Sequence, residues 1–391
     1  MNGRVCIVRQ NYFPAEAHVK KNVDALIDAG LQVDVVCLRE PGAPAQSEYR
    51  GGRVHRLPLT HKRASKARYL FEYAAFFLMA FVTLTALSLR RRYDIVEVYN
   101  VPDLLVFAAL PAKLLGAKVI FYMFEMTPEQ AADNYDLPHD HRLVRFLRWA
   151  ERRSVRFADR VITVSPYQKE VIVERAAPRA EPAVVPNVPD DALFSPRHHT
   201  NGLAPNGTYR LLTHGSVLRR YGIQTLIRAV PFLQRHIPDI EVWILGDGEY
   251  REQLERLAED LDVQRHVWFL DWVPHEEVPR LIAGADLGIV PTSIPWLLPN
   301  KLFEYVAMER PVVAAASPSL SGVFDGASIA YFMPDSETDL ARRVLELHAD
   351  PARARLQARR ARRAYERYRW EASRRAYAGV HRQLLANGGD A

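Results

Sequence analysis

An α/β fold of two Rossmann-like, doubly wound domains facing each other across a cleft is what this 391-residue sequence predicts. Three observations carry the prediction. The length suffices for two ordinary domains, each with its own core. Short Val- and Ile-rich runs alternate with helix-like segments over nearly the whole chain, the pattern of parallel sheets covered by helices on both faces. The alternation breaks once, at "NVPDDALFSPRHHTNGLAPNGTYR", whose Pro, Asn, Asp and Gly content reads as an interdomain linker. A hydrophobic share of 48% with 25% charged residues excludes a disordered chain.

In chain order, "RVCIVRQ" is the first strand, entered directly with no signal-peptide pattern before it. A helix from about His18 to Ala29 follows, stopped by Gly30 where a left-handed residue is needed. "QVDVVCLRE" and "GRVHRLPL" are the next strands. Then come a long apolar helix, the strand "DIVEVYN", a helix through "LLVFAALPAKLLG" and the strand "KVIFYMF". An Arg-striped helix precedes "DRVITVS" and "AVVPN". Past the linker a second series runs "YRLLTHGS", a helix from Gly222 to His236, "EVWILGDG", a helix through "YREQLERLAEDL", and "VWFLDWV". The short helix "EEVPRLIAGA", "LGIVPT", a helix opening at "LPNKLFEY" and "PVVAAA" complete it. The chain ends in an Arg-rich helical region. The domains expected are 1–187, a linker at 188–208, and 209–369, with a helix at 370–391 crossing back to the first domain. The two cysteines, Cys6 and Cys37, sit in strand-like runs and read as buried and reduced, as in a cytoplasmic protein.

The net charge of +6 is modest, but the positive charge is clustered. Lys62, Arg63, Lys66 and Arg68 precede the apolar run "YLFEYAAFFLMAFVTLTALSL", and Arg90, Arg91 and Arg92 close it. That run is long enough to span a bilayer. It could equally lie on a membrane surface or form a core helix, and the buried strand that follows argues against a span. In "HRLVRFLRWAERRSVRFAD", Arg142, Arg145, Arg148, Arg152 and Arg156 recur at helical spacing as one stripe, with Leu143, Phe146, Leu147 and Ala150 towards another side. The stripe is either a solvated face or a contact for anionic headgroups. Residues 62–92 and 142–156 are therefore the candidate membrane contacts, at the inner face of the cell membrane. Nucleic acid is not expected as a partner, because these Arg runs belong to no recognisable nucleic-acid module.

Doubly wound sheets bind ligands beyond the carboxyl ends of their strands. The helix after "LGIVPT" therefore points its N-terminus into such a crevice, with unpaired N–H groups suited to a phosphate. Pro299 presets its first turn, Asn300 follows, Lys301 adds a full charge, and Glu304 stands one turn further in. Glu304 is either a carboxylate for a vicinal diol such as a ribose or an acid complementing the helix dipole. Arg219 and Arg220, in a Gly-containing turn before a helix, form a candidate diphosphate clamp. Gly246 in "GDGEY" lets backbone approach a ligand, and the peptide groups around Val273 are placed for a base. In the first domain Glu125, Asn11, Tyr12, Asn100, Asp103 and Glu129 all fall at strand ends. His139, His141, His198 and His199 lie in loops without zinc spacing, so neither metal nor cofactor is expected.

Taken in order, "GDGEYREQLERLAEDL", "VWFLDWVPHEEVPRLIAGADLGIVP" and "PNKLFEYVAMERPVVAA" resemble the donor-binding domain of glycosyltransferase family 4, retaining enzymes of the GT-B fold. "PAEAHVKKNVDALIDAGLQVDVVCL", "YDIVEVYNVPDLLVFAAL", "AKVIFYMFEMTPE" and "FADRVITVSPYQKEVI" resemble its acceptor domain. The resemblance implies that Glu304 holds ribose hydroxyls and that Asn300 and Lys301 meet the terminal phosphate of a nucleotide-sugar co-substrate. It implies an acceptor that is a glycan or lipid-linked glycan intermediate, as in exopolysaccharide-type members. Front-side attack needs no protein nucleophile: the leaving diphosphate takes the acceptor's proton while cations such as Arg220 stabilise its charge. Glu125 is then a candidate for orienting the acceptor hydroxyl. The chain departs from the family pattern at several positions. Ser216 follows Gly215 and Tyr221 precedes Gly222, so the usual Arg and Lys phosphate pair is not reproduced, and Arg219 and Arg220 are its candidate substitutes. Trp296 stands where the first acid of a pair is usual, and Phe124 where a His is. A nucleotide-sugar epimerase of the same fold and a non-catalytic binding subunit are the alternatives.

Overall fold

The computed structural model describes residues 3–60, 66–199 and 207–386. Lys62 and Arg63, part of the expected linker and residues 387–391 lie outside the described residues. The chain divides into two compact units. One comprises residues 1–186 with 373–391, and the other residues 187–372.

The first unit is built on β1 (Arg4–Tyr12), α1 (Ala17–Asp28), β2 (Gln32–Leu38), β3 (Gln46–Tyr49), β4 (Gly52–Leu57), α2 (Lys66–Arg91) and β5 (Ile95–Tyr99). A 3-10 segment, Asp103–Ala109, leads into α3 (Leu110–Leu114) and β6 (Lys118–Met123). Then come α4 (Thr127–Tyr135), α5 (Arg142–Phe157), β7 (Arg160–Thr163), α6 (Pro166–Ala176) and β8 (Ala183–Val184). Its eight strands run in the order β3-β4-β2-β1-β5-β6-β7-β8. All neighbours pair parallel except β3 with β4, an antiparallel hairpin that adds an edge not expected from the sequence. The chain winds outwards from β1 in one direction and from β5 in the other, so the topological switch point lies between those two strands.

Helix α2 explains its composition from its two faces. Glu72, Phe76, Ala80, Leu84 and Ser88 recur every four residues and are buried, against the 3-10 segment and α3. Glu72 is satisfied there by Arg68 at 2.8 Å. The opposite face keeps Leu70, Phe71, Leu78, Val82 and Leu89 exposed, and Leu114 of α3 is 78% exposed beside them. Helix α5 corrects the expected arrangement of its stripe. Its inward residues are Val144, Ala150, Glu151, Ser154 and Val155, while Leu143, Phe146 and Trp149 are exposed together with the arginines. Arg152 and Arg156 donate to the carbonyls of Arg175 and Ala176 at the end of α6, where cations complement the helix dipole. Those two thus also tie α5 to α6, and Arg142 and Arg145 are exposed alongside them. Cys6 and Cys37 are both free and buried, and burial raises both thiols, Cys37 to about 11.

The second unit contains β9 (Tyr209–His214), α7 (Ile223–Leu233), β10 (Ile240–Leu245), α8 (Arg251–Asp260), β11 (Val267–Leu270), α9 (Val278–Ala283), β12 (Leu287–Val290) and α10 (Asn300–Ala307). β13 (Val312–Ala315), α11 (Pro318–Ser321), β14 (Ala330–Phe332), α12 (Glu337–Ala349) and α13 (Pro351–Tyr365) follow. Its sheet is wholly parallel, in the order β11-β10-β9-β12-β13-β14, with the switch point between β9 and β12. Leu211, Ile244, Ile289 and Val313 lie under α7 and α12 on one side. Leu212, Leu245, Val290 and Ala314 lie under α9, α10 and α13 on the other.

The last helix, α14 (Trp370–Ala386), leaves the second unit, and from Ser373 onwards belongs to the first. It is fixed there by chemistry as well as by packing. The hydroxyl of Tyr377 donates to Glu97 Oε1 in β5 at 2.6 Å, and His381 Nε2 lies 2.9 Å from Glu97 Oε2.

Candidate functional site

The residues expected to hold a nucleotide sugar gather at the β9/β12 switch point. β9 ends at His214–Gly215, β12 ends at Val290, and after a loop the chain enters α10. Helix α10 begins at Asn300, with Pro299 as an extended N-cap rather than as its first helical residue. Its N–H groups, unpaired within the helix, thus sit with the exposed Asn300 and half-buried Lys301 at the carboxyl edge of the sheet. Lys301 Nζ is 3.5 Å from Thr213 Oγ1 and packs against Gly215. Burial strips the ammonium of solvation and lowers it to about 8, although Glu304 pulls it the other way.

Glu304 is 6% exposed, and its partner is a residue the sequence reading passed over. His214 Nε2 approaches Glu304 Oε2 to 2.5 Å, while Nδ1 lies 2.8 Å from the Tyr305 hydroxyl. Burial by itself would raise this carboxyl. The charge and hydrogen bond of His214, then the charges of His275 and Lys301, outweigh it and hold the group below its ordinary value. Oε2 of Glu304 is thus engaged by the imidazole. Nothing in the local sequence marks His214 as a partner, since it stands 90 residues from Glu304.

The loops after neighbouring strands interlock around this point. Gly246, at the end of β10, has φ +129°, and a Cβ there would stand 2.2 Å from the carbonyl oxygen of Gly215. Only glycine tolerates both conditions. Arg219 and Arg220 lie on a 3-10 turn, Arg219–Tyr221, just before α7. Arg219 is exposed, and the Arg220 guanidinium rests 5.2 Å from the centroid of the Tyr221 ring. The next residue, Gly222, abuts the carbonyl of Pro291 just past β12, which brings that turn to the same edge. Val273 is half-buried against the core beneath α9 and α10. Trp296 is buried, in a loop whose neighbouring Pro295 carbonyl accepts from Ser319 of α11.

The first unit gathers its candidates at its own switch point, and there the structure separates them. Asn11 and Tyr12 end β1 and are half-exposed, as are Phe124 and Glu125 beyond β6. Asn100 is 0% exposed. Its amide donates to Glu125 O at 2.7 Å and accepts from the N–H of Phe124 at 3.1 Å, and its carbonyl accepts from Arg9 at 2.6 Å. Asp103 is buried and takes the Thr127 hydroxyl at 2.7 Å; burial raises it to about 6 against that bond and one from Asn100. Glu129 is held by Arg175, which also forks onto the buried Glu151. The expected acceptor contacts of Asn100, Asp103 and Glu129 are therefore corrected. Their polar groups bind the loops together, and Asn11, Tyr12 and Glu125 are half-exposed at the same edge.

Two further residues complete this edge. Arg9 pairs with Glu16 at 2.8 Å and lies over the Phe124 ring at 4.4 Å. His18 of α1 packs against Tyr99, Tyr122 and Phe124, with its ring centroid 6.4 Å from that of Phe124. A histidine thus stands beside the position where Phe124 replaces one.

Two parallel α/β units, each with its polar groups at the carboxyl edge of a doubly wound sheet, define the class as the GT-B glycosyltransferase architecture. Comparison with known proteins makes it specific. Residues 15–188 match a family model described as "Glycosyl transferase 4-like domain", and residues 208–350 match "Glycosyl transferases group 1". The chain belongs to the family 4 glycosyltransferases.

A GDP-mannose-dependent alpha-(1-6)-phosphatidylinositol monomannoside mannosyltransferase of Mycolicibacterium smegmatis is 34% identical over 37% of this chain and 39% of that one. The matched region is thus about two fifths of that relative. Among solved structures, sucrose-phosphate synthase of Thermosynechococcus elongatus superposes with a TM-score of 0.79 at 22% identity, over 99% of this chain and 100% of that one. Anabaena HepE in complex with UDP-glucose gives 0.71 at 17% identity, over 97% and 99%. At such identities these two likenesses speak for the fold alone.

Proposed function

We propose that the protein is a retaining glycosyltransferase that moves a sugar from a nucleoside-diphosphate sugar to a glycan or lipid-linked acceptor at the inner membrane face. The observation that carries this reading is the buried Glu304 one helical turn behind Lys301, at the N-terminus of α10 and at the β9/β12 switch point. A carboxylate for ribose behind a cation and free N–H groups for a diphosphate is a nucleotide-sugar site in outline. The name of one similar protein, a GDP-mannose-dependent mannosyltransferase, supports a nucleotide-sugar donor and leaves the base open.

In this reading the bond between the anomeric carbon of the sugar and the diphosphate oxygen breaks, and the nucleoside diphosphate departs while the sugar passes to the acceptor. The acceptor hydroxyl attacks from the same face and gives its proton to the departing phosphate oxygen. Lys301, Arg219, Arg220 and the first N–H groups of α10 stabilise the charge that develops. Glu125 and Tyr12, both at the solvent edge of the first unit, orient the acceptor. No metal is required by this scheme. The apolar outer face of α2, Leu114 of α3 and the exposed Phe146–Trp149 pair of α5 supply the membrane contact, with Arg142 and Arg145 for anionic headgroups.

Calorimetric titration with UDP, GDP, dTDP and ADP tests the donor site. One base should bind in the micromolar range, and Glu304→Ala and Arg220→Ala should each weaken it about tenfold or more, the scale of a lost charged hydrogen bond. Binding of no nucleotide would refute the reading. Turnover of the donor without any acceptor would favour an epimerase instead.

A further inference from the structure

The hydrogen bonds around His214 fix where its protons are. The Tyr305 hydroxyl lies 2.9 Å from the carbonyl oxygen of Leu212. That oxygen can only accept, so the one phenolic proton is committed there. The Tyr305 oxygen must then act as acceptor towards His214 Nδ1, 2.8 Å away, and Nδ1 must carry a proton. On the other side of the ring, Nε2 meets Glu304 Oε2 at 2.5 Å, and a nitrogen and a carboxyl oxygen come so close only with a proton between them. Whichever atom holds that proton, the pair together carries no net charge. Among the described residues Glu304 Oε1 has no hydrogen-bond partner, so the carboxyl is held by one oxygen and open at the other.

Resting on the nucleotide-sugar reading above, we infer that His214 is a positioning residue: it pins Oε2 of Glu304 through the Leu212–Tyr305–His214 chain and thereby aims Oε1 at one ribose hydroxyl. The other groups that face the pair fit this arrangement. Lys301 and Tyr305 come from α10, Thr213 from β9, and His275 from the segment after β11, and among them Lys301 is left as the charge directed at the diphosphate. A bare buried carboxylate would cancel that charge. A carboxylate neutralised by His214 does not, so ribose and diphosphate can be recognised side by side.

Two measurements test the inference. In ligand-free protein labelled with ¹⁵N-histidine, His214 Nδ1 should give the signal of a protonated nitrogen, and a lone-pair signal there would overturn the proton assignment. Next, the nucleoside diphosphate that binds best is compared with its 2′-deoxy and 3′-deoxy forms, and with inorganic pyrophosphate, on wild type, His214→Gln and His214→Phe.

Wild type should discriminate against one deoxy form by about tenfold or more, the scale of a lost hydrogen bond to a charged group. His214→Phe should reduce that ratio to below about twofold while binding pyrophosphate as wild type does. His214→Gln, whose amide N–H can still donate to Oε2, should retain most of it. If His214→Phe keeps the wild-type ratio, or loses pyrophosphate and nucleotide in parallel, His214 does not aim Glu304. Absence of nucleotide binding by wild type is a separate result, which removes the donor-site reading and this inference with it.

Discussion

Lys301 sets a pH dependence that follows directly from its surroundings. Burial lowers the free ammonium to about 8, and a bound diphosphate favours the charged form. Below that value the charge is already in place and affinity should be flat. Above it each binding event must first take up a proton, so affinity falls as pH rises. With a titration at about 8, the charged fraction drops from about nine-tenths at pH 7 to about one-tenth at pH 9. The dissociation constant should therefore weaken by about tenfold over that interval, or about 1.4 kcal/mol. The last phosphate proton, with a pKa of about 6, is already lost below this window.

Calorimetry of the nucleoside diphosphate from pH 7 to 9.5, in buffers of different ionisation enthalpy, reads both the affinity and the proton taken up. Lys301→Arg supplies the control, because a guanidinium stays charged throughout. Its profile should be flat apart from any ionisation of the base, which it shares with wild type. A wild-type profile without a slope above pH 8, or the same slope in Lys301→Arg, would refute the assignment of Lys301 to the diphosphate.

Further outcomes are expected elsewhere. Gly246→Ala places a Cβ against the Gly215 carbonyl in a left-handed conformation and should lower the stability of the second unit by about 1–3 kcal/mol; unchanged denaturant unfolding would contradict the close approach. Tyr377→Phe leaves one oxygen of the buried Glu97 without its 2.6 Å donor and should destabilise the first unit by about 1–3 kcal/mol, read by the same method. Leu78→Glu with Val82→Glu alters side chains 62% and 67% exposed, so each should change stability by no more than about 0.5 kcal/mol. The pair should nonetheless abolish sedimentation with vesicles containing anionic lipid. Wild type that ignores such vesicles at both low and physiological salt would remove the membrane contact.

Much of the architecture was legible locally. β1, β2, β5, β6, β9, β10 and β12 are apolar runs bounded by turns, and Gly30, at φ +85°, ends α1 where its left-handed position was expected. What the reading missed is short or polar. β3 is "QSEY", with half of its residues exposed at a sheet edge, so it carries no apolar signal. β14 has three residues. Neither makes a pattern long enough to stand out from loop, because both are fixed by pairing with a neighbour rather than by their own composition.

The same division runs through the candidate sites. Lys301 and Glu304 were visible because three residues apart on a helix start is a local geometry, one turn in register. Arg219 and Arg220, in a turn between a strand and a helix, and Gly246 in "GDGEY" likewise lie in continuous segments. Only the folded chain showed that Asn100, Asp103 and Glu129 are spent on their own loops. It alone also brought His214 against Glu304 and His18 beside Phe124. A sequence states which polar groups exist at strand ends. Whether such a group faces solvent or is consumed by a partner 24, 46 or 90 residues away depends on hydrogen bonds that burial makes obligatory, and those are decided by tertiary packing.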